Sequence, residues 1–333
     1  MKPLKFASFG TLRATMTAGV LAAAMPIAAL ADTVTIRLGH VLPETHSWHQ
    51  AALGFAGDVA KETEGRVEIN VFPSGQLGSE SKVIEGLQFG SVQAGIIGSG
   101  SFQSIEPKMG IIEMPYAWAN REQAFAALDG NLGDALEALI APKGMVILAW
   151  WETGFRNITN NVRPIVEPAD LDGLKIRVTP DKVRLATFEG LGAEPAPLSF
   201  GELYSALQQG VFDAQENPLS IIDSASFFEV QKYVSMTGHI WGAASLTVSQ
   251  AVWDKISPED QAIVQAAAQT WAEKQRDMVA AADAELVARL EGKGMVFNDV
   301  NKAAFIEAVE PIWQAQADVY GADLLAILNT YRK

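Results

Sequence analysis

Val34-Thr35-Ile36-Arg37-Leu38-Gly39 opens the stretch that decides the fold. Val34, Ile36 and Leu38 alternate with polar residues, the period of a strand with one buried face, and Gly39 closes it. Trp48, Ala52, Phe55 and Val59 then recur at helical spacing until Gly65. Val67, Ile69 and Val71 form a second strand, ended by Pro73-Ser74-Gly75. A helix around Ser81–Phe89 follows, with Val83, Ile84 and Leu87 inward, and then a strand from Val92 to Ile97. Strand and helix alternating in this order predict an α/β fold with a largely parallel sheet and helices on its faces. Further along, Met145–Trp151 reads as a fully apolar strand, and Leu174–Val178 and Val211–Gln215 as shorter ones. A helix from about Phe200 to Gln209 separates the last two. Ser257-Pro258-Glu259-Asp260 is a helix start, with Ser as N-cap, Pro at the first helical position and acids in the first turn. No Pro or Gly intervenes before about Leu290, so one helix of some thirty residues is expected, long enough to lie across two lobes. Gly292 and Gly294 end it, and two amphipathic helices close the chain. No flexible tether separates the lobes; strands and the long helix are expected to join them.

The composition fits this reading. At 333 residues the chain exceeds one ordinary domain and suggests about two. A hydrophobic fraction of 49% with 19% charged residues excludes wholesale disorder. Only 25 Lys+Arg stand against 39 Asp+Glu, so nucleic acid is not expected as a partner, because phosphate binding needs a basic face. The lack of cysteine removes disulfides, thiolate nucleophiles, Fe–S clusters and Cys-based zinc sites together. Residues 1–31 differ from the rest: Lys2, Lys5 and Arg13 without an acid, an apolar run from Ala18 to Leu30, and the small-x-small terminus Ala29-Leu30-Ala31. That pattern reads as a cleaved signal peptide. A membrane anchor is the alternative, but Pro26 and the Ala-rich run make a poor span. The mature chain is expected to be exported and soluble.

Several residues could carry chemistry. In Leu174-Lys175-Ile176-Arg177-Val178 the two cations face away from the apolar positions. An arginine near the carboxyl end of an inner strand would face the crevice where open α/β sheets bind ligands. Its planar fork matches a carboxylate. An edge strand with solvated cations would give the same pattern. Arg156 lies just past the apolar strand, in Glu152-Thr153-Gly154-Phe155-Arg156-Asn157-Ile158-Thr159-Asn160, beside amides and hydroxyls suited to sugar hydroxyls. A surface turn is its plain structural reading. Asn217 before Pro218 is a good N-cap arrangement that can also face a cleft, and Glu80 is a first-turn acid that ordinarily serves the helix dipole. His40, His46 and His49 lie close in sequence with Glu44 between them, and His239 is distant. Their spacing matches no zinc pattern, whereas a histidine there can donate to a ligand oxygen. Catalytic elbows and phosphate loops are missing, and Gly95, Gly98 and Gly100 have the wrong spacing for a dinucleotide site. Asp213 and Glu216 cannot be paired as glycosidase carboxylates without a separation.

Taken together these segments resemble the extracytoplasmic solute-binding subunits of tripartite ATP-independent periplasmic (TRAP) transporters. The resemblance rests on Phe72–Gly78, Gly154–Pro164, Asp172–Val178, Ser199–Gly210, Asp213–Pro218, Glu229–Tyr233 and His239 in this order and spacing. It implies a two-lobed periplasmic binding protein with crossing strands and a long helix spanning both lobes. Residues 32–153 plus 243–282 would form lobe I, and 154–242 plus 283–333 lobe II. The resemblance puts the carboxylate-pairing arginine on Arg177, the second cleft arginine on Arg156 and the cleft asparagine on Asn217. Phe200 would be the aromatic wall and Glu80 the acid that meets ligand hydroxyls; His46 joins them as a further ligand-binding candidate. Relative to sialic-acid-binding members, Gly98 replaces an acid and Val41 an amide, so sialate is not expected. The Trp150–Asn157 stretch and the histidines near the first helix look closer to members that bind hexuronates. The expected function is capture of a small carboxylate such as glucuronate or galacturonate in the interlobe cleft, and its delivery to TRAP membrane subunits. A monomer in the periplasm, without cofactor, metal or catalysis, goes with that reading. A four-carbon dicarboxylate or keto acid in the same cleft is the alternative ligand class. A periplasmic hydrolase or lyase using Glu80, His46 or Glu216 is the alternative activity.

Overall fold

The computed structural model describes residues 1, 3–5, 7, 8, 10 and 33–332. The apolar run and cleavage site of the expected leader lie outside the described residues. The first unit follows the periodicities quoted above: β1 (Val34–Gly39), α1 (Ser47–Glu62), β2 (Val67–Phe72), α2 (Glu80–Phe89) and β3 (Ala94–Gly98). β1 lies between β2 and β3 and is parallel to both, with Ile36 opposite Ile69 and Leu38 opposite Val71 and Ala94. Ile36 and Leu38 are buried while Thr35 and Arg37 are exposed, which is the alternation the sequence shows.

Two helices, α3 (Arg121–Leu128) and α4 (Asn131–Ile140), lead into the long strand β4 (Met145–Asn160). A second parallel unit follows: β5 (Lys175–Val178), α5 (Lys182–Gly190), β6 (Glu194–Pro197), α6 (Phe200–Gln208) and β7 (Ala214–Asn217). Here β5 is the middle strand, between β7 and β6. After α7 (Leu219–Ser224), β8 (Tyr233–Ser249) returns antiparallel along β4, from Tyr233 opposite Asn160 to Ser249 opposite Met145. The chain ends with α8 (Gln250–Trp253), α9 (Pro258–Gly292), β9 (Val296–Asn298), α10 (Lys302–Ala308) and α11 (Glu310–Tyr331).

The strand order is β2-β1-β3-β8-β4-β7-β5-β6, with β9 beside β8. The sheet is therefore mixed, not largely parallel: two parallel triplets are joined through the antiparallel β8–β4 pair. Periodicity reports which face is buried and carries no strand direction, so this could not be read ahead. β4 and β8 have 16 and 17 residues. At ~3.3 Å per residue they are about 55 Å long and run through both halves. This is the two-lobed α/β architecture with crossing strands. The register between them shifts at Ile147/Ala149, Glu152/Gly154 and Arg156/Ile158.

The long helix is α9, with 35 residues and a length of about 52 Å. Its start is the expected one: Ser257 Oγ accepts the Asp260 N–H (3.2 Å), with Pro258 in the first turn. Arg66 fixes the same end by a forked pair with Asp260 (2.9–3.2 Å). Adjacent residues of the sheet feed two separate cores. Ile97, Trp150 and Ile176 pack with residues of α2 to α5, α10 and α11 on one face. Ile96, Trp151 and Leu246 pack with α1, α6, α7 and α9 on the other. The site lies where the two parallel triplets meet.

Candidate functional site

The carboxyl ends of the parallel strands converge on one cavity of about 60 Å³. Val41 and Leu42 follow β1, Gly98 ends β3, Thr179 and Pro180 follow β5, and Asn217 ends β7. Open α/β sheets bind ligands at such a position. Arg156, Arg177, Asn217, Glu80 and Phe200 all line it.

Arg177 comes from β5, which has a strand on each side, so the edge-strand reading fails. Its core neighbours Ile176 and Val178 fix the strand, and the guanidinium itself is only 1% exposed. Nε and Nη2 both donate to one backbone carbonyl, that of Leu198, at 2.8 and 2.6 Å. Among the described residues no carboxylate stands within ion-pair distance of it. Burial lowers its pKa to about 9; Glu216 pulls the other way, while Arg156 and Arg184 add to the fall. It is a buried cation without a counterion.

The two neighbouring arginines are already matched. Arg156 extends from β4 rather than from a turn beyond it, because β4 continues through Glu152–Asn160. Its Nε and Nη2 grip both oxygens of Glu216, the second at 2.8 Å, and Nη2 also donates to Asn217 Oδ1 at 2.9 Å. Arg184, on α5, donates from Nη2 to Glu113 (2.5 Å) and from Nη1 to Thr179 Oγ1 (2.8 Å). Its Nη1 also lies 3.7 Å from Glu216. Burial alone would raise the pKa of Glu216, but Arg156 and Arg184, with a hydrogen bond from His239, hold it far below the carboxylate range. A carboxylate so held is a permanent anion and a poor general acid or base.

Asn217 caps no helix: it belongs to β7, is buried, and donates to Gln215 Oε1 at 2.5 Å while accepting from Arg156. Glu80 does begin α2, yet its carboxylate turns away from that helix end. One oxygen accepts the Gly98 N–H (2.8 Å) and the other the Ser101 hydroxyl (2.6 Å). A Cβ at position 98 would stand 3.3 Å from Glu80 Oε1, so glycine there leaves the acid its place. Phe200 begins α6 and leans on Phe227, with ring centres 5.9 Å apart.

His46 is not brought to the cavity. It is the N-cap of α1, its Nδ1 accepting the Trp48 N–H at 3.2 Å. Burial, with His40 adding, lowers it to about 3, so it stays neutral. His40 and His49 bond to each other at 3.2 Å, and no group of His, Cys, Asp or Glu among the described residues is arranged to hold a metal ion. Sequence reasoning missed Arg184, Trp48, Ser101 and Thr179, which also line the cavity, as does Thr153 among the hydroxyls noted beside Arg156. Trp48 carried an apolar helical signal and was counted as core; its indole N–H in fact donates to the Glu152 carbonyl at 3.0 Å. For Arg184 the signal was weak, an arginine three residues after the N-cap Asp181, since most helical arginines are solvated.

The family model described as bacterial extracellular solute-binding protein, family 7 (DctP), matches residues 38–318. The chain belongs to this family. A solute-binding protein of Roseobacter denitrificans is 39% identical over 291 residues, covering 87% of this chain and 89% of that one. Its crystal structure, with bound L-galactonate, superposes with a TM-score of 0.85 at 36% identity, covering 91% of this chain and 100% of that one. The 2,3-diketo-L-gulonate-binding periplasmic protein of Escherichia coli is 34% identical over 276 residues, 83% of this chain and 84% of its own. A TRAP periplasmic solute-binding protein of Sulfurospirillum deleyianum, solved with succinate, gives a TM-score of 0.86 at 30% identity over 90% of this chain and 99% of that one. The resemblance to TRAP solute-binding subunits thus holds, and with it a binding rather than an enzymatic role. No helix among the described residues of this DctP protein is long and apolar enough to cross a membrane.

Proposed function

We propose that this DctP protein captures a hydroxylated monocarboxylate, a sugar acid of the hexuronate or hexonate kind, between its lobes and delivers it to TRAP membrane subunits. The observation that carries the reading is the uncompensated charge of Arg177. Of the three cavity guanidiniums, those of Arg156 and Arg184 already have Glu216 and Glu113, and Arg177 has only the Leu198 carbonyl. That leaves room for one anionic group. A second carboxylate on the ligand would have to share the cavity with Glu80, whereas a hydroxyl could donate to it. The relatives that bind L-galactonate and 2,3-diketo-L-gulonate favour the same class. The relative solved with succinate makes a four-carbon dicarboxylate the second reading.

In this account Arg177 is the anchor, Arg156 and Asn217 complete the acid end, Glu80 meets hydroxyls and Phe200 forms a wall. His46 has no ligand role; it caps α1. Lobe I comprises residues 32–153 plus 243–282 and lobe II residues 154–242 plus 283–333. In the open form water solvates Arg177, and the ligand carboxylate replaces that water on closure. Closing without an anion would bury the cation unpaired, so the ligand shifts the equilibrium to the closed form. The protein works as a periplasmic monomer after removal of residues 1–31. Calorimetry with D-glucuronate, D-galacturonate, L-galactonate and succinate tests the reading. At least one sugar acid should bind at least ~10-fold tighter than succinate. Tighter binding of succinate than of all three would overturn it.

A further inference from the structure

β4 has a strand on one edge throughout, β8, but on the other edge β7 covers only Asn157–Asn160. Along the earlier part of that strand the long helix α9 supplies the missing partners with side chains. Gln265 and Gln269 both donate to the Leu148 carbonyl, at 2.7 and 3.0 Å. Arg276 Nη2 donates to the Trp150 carbonyl at 2.6 Å. Gln275, fully buried, treats Glu152 as a neighbouring strand would: its Oε1 accepts the Glu152 N–H (2.8 Å) and its Nε2 donates to the Glu152 carbonyl (3.0 Å).

Glu152 is the last residue before the register shift at Gly154, which has φ +112°, and before the cavity residues Thr153 and Arg156. The carbonyl held by Gln275 also receives the indole N–H of Trp48, which lines the cavity too, and Gln275 Nε2 further donates to Ser47 Oγ (3.1 Å). One amide therefore ties the start of α1, the strand that carries Arg156, and the long helix to a single point. We infer that Gln275 is a positioning residue for ligand capture: it fixes the spacing between the Trp48 wall and the Thr153–Arg156 segment, and the strand bends beyond it when the lobes close. Gln275 touches no ligand, since it does not line the cavity.

The inference rests on ligand capture in this cavity, and its test carries one readout that needs no ligand. Gln275→Met keeps the side chain's length and removes all three hydrogen bonds of the amide. Gln269→Met removes one bond from the same helix to the same strand, farther from the bend, and serves as the control for a merely structural role. Hydrogen exchange of the ligand-free full-length protein should show the Glu152 amide exchanging faster in Gln275→Met and unchanged in Gln269→Met. With D-galacturonate, or succinate should the wild type prefer it, Gln275→Met should raise Kd at least ~10-fold, mainly through faster dissociation. Gln269→Met should stay within about 2-fold of the wild type. An unchanged Kd in Gln275→Met, or an equal loss in both variants, would overturn the positioning role. An unchanged Glu152 amide would overturn the contact on which it is built.

Discussion

Arg177→Met separates affinity from stability at one position. The guanidinium is buried beside one carbonyl, and its pKa falls from 12.5 to about 9. At 1.36 kcal/mol per unit, this amounts to a penalty of about 5 kcal/mol on the cation while it is buried in this way. Methionine removes the penalty but leaves the Leu198 carbonyl without its two donors, a loss of about 1–3 kcal/mol. The ligand-free protein should therefore range from as stable as the wild type, where it stays open with Arg177 hydrated, to about 4 kcal/mol more stable, where it closes, measured by urea unfolding. The same substitution should weaken sugar-acid binding by at least ~100-fold in calorimetry, because the carboxylate loses its only unpaired partner. Arg177→Lys should also bind substantially more weakly, since a point charge cannot reproduce the fork. A ligand-free Arg177→Met protein destabilised by more than about 3 kcal/mol would refute the claim that the cation is held at a cost. Retained affinity would refute the anchor.

The neighbouring residues give further expectations. Glu216→Gln should destabilise the ligand-free protein by about 3–5 kcal/mol in urea unfolding, because it strips the buried counterion from Arg156 and weakens Arg184; a change below about 1 kcal/mol would contradict the pairing. Glu80→Gln should weaken polyhydroxylated acids by about 10-fold while leaving succinate within about 2-fold, as read by calorimetry with both ligand types. Glu152 has its pKa raised from 4.5 to about 7 by burial, against the opposing pull of Arg121 and the Trp241 hydrogen bond, with Asp283 adding to the rise. Between those values the folded state binds more protons than the unfolded one, so this group's contribution to stability is greatest near pH 4 and is lost as pH rises through 7. Glu152→Gln should therefore match the wild type near pH 4 and exceed it by up to about 3 kcal/mol at pH 8, and parallel pH profiles for the two proteins would contradict this.

Much of the fold was legible because each element obeys a local rule. The alternation in Val34–Leu38, the helical spacing from Trp48 to Val59 and the Ser257-Pro258 start of α9 all appear where periodicity and capping chemistry place them. β4 was harder. The sequence turns polar at Glu152, which reads as a loop, but Thr153 and Arg156 are polar because they line a cavity, and Asn157 because its Oδ1 accepts the Gly238 N–H at 3.0 Å. A strand that lines a polar hollow loses the hydrophobic signal by which strands are recognised. Strand direction was invisible because periodicity carries none, so the antiparallel β4–β8 pair at the centre was missed.

In the site, Lys175 and Arg177 give one pattern for an edge strand and an inner strand alike; only the pairing of β5 with both β6 and β7 decides between them. His46 and Asn217 show the opposite ambiguity. Each has a side chain that can cap a helix, yet His46 caps α1 while Asn217 belongs to β7 and faces the cavity. Local chemistry is the same at both, and the difference lies in which elements the chain folds against them.

The central claim is that Arg177 receives the ligand's carboxylate. A crystal structure of the protein with D-galacturonate tests it most directly. The expected result is a carboxylate forked onto the Arg177 guanidinium, with Arg156 still bound to Glu216. A carboxylate seated elsewhere, with Arg177 bonded to Leu198 alone, would contradict it.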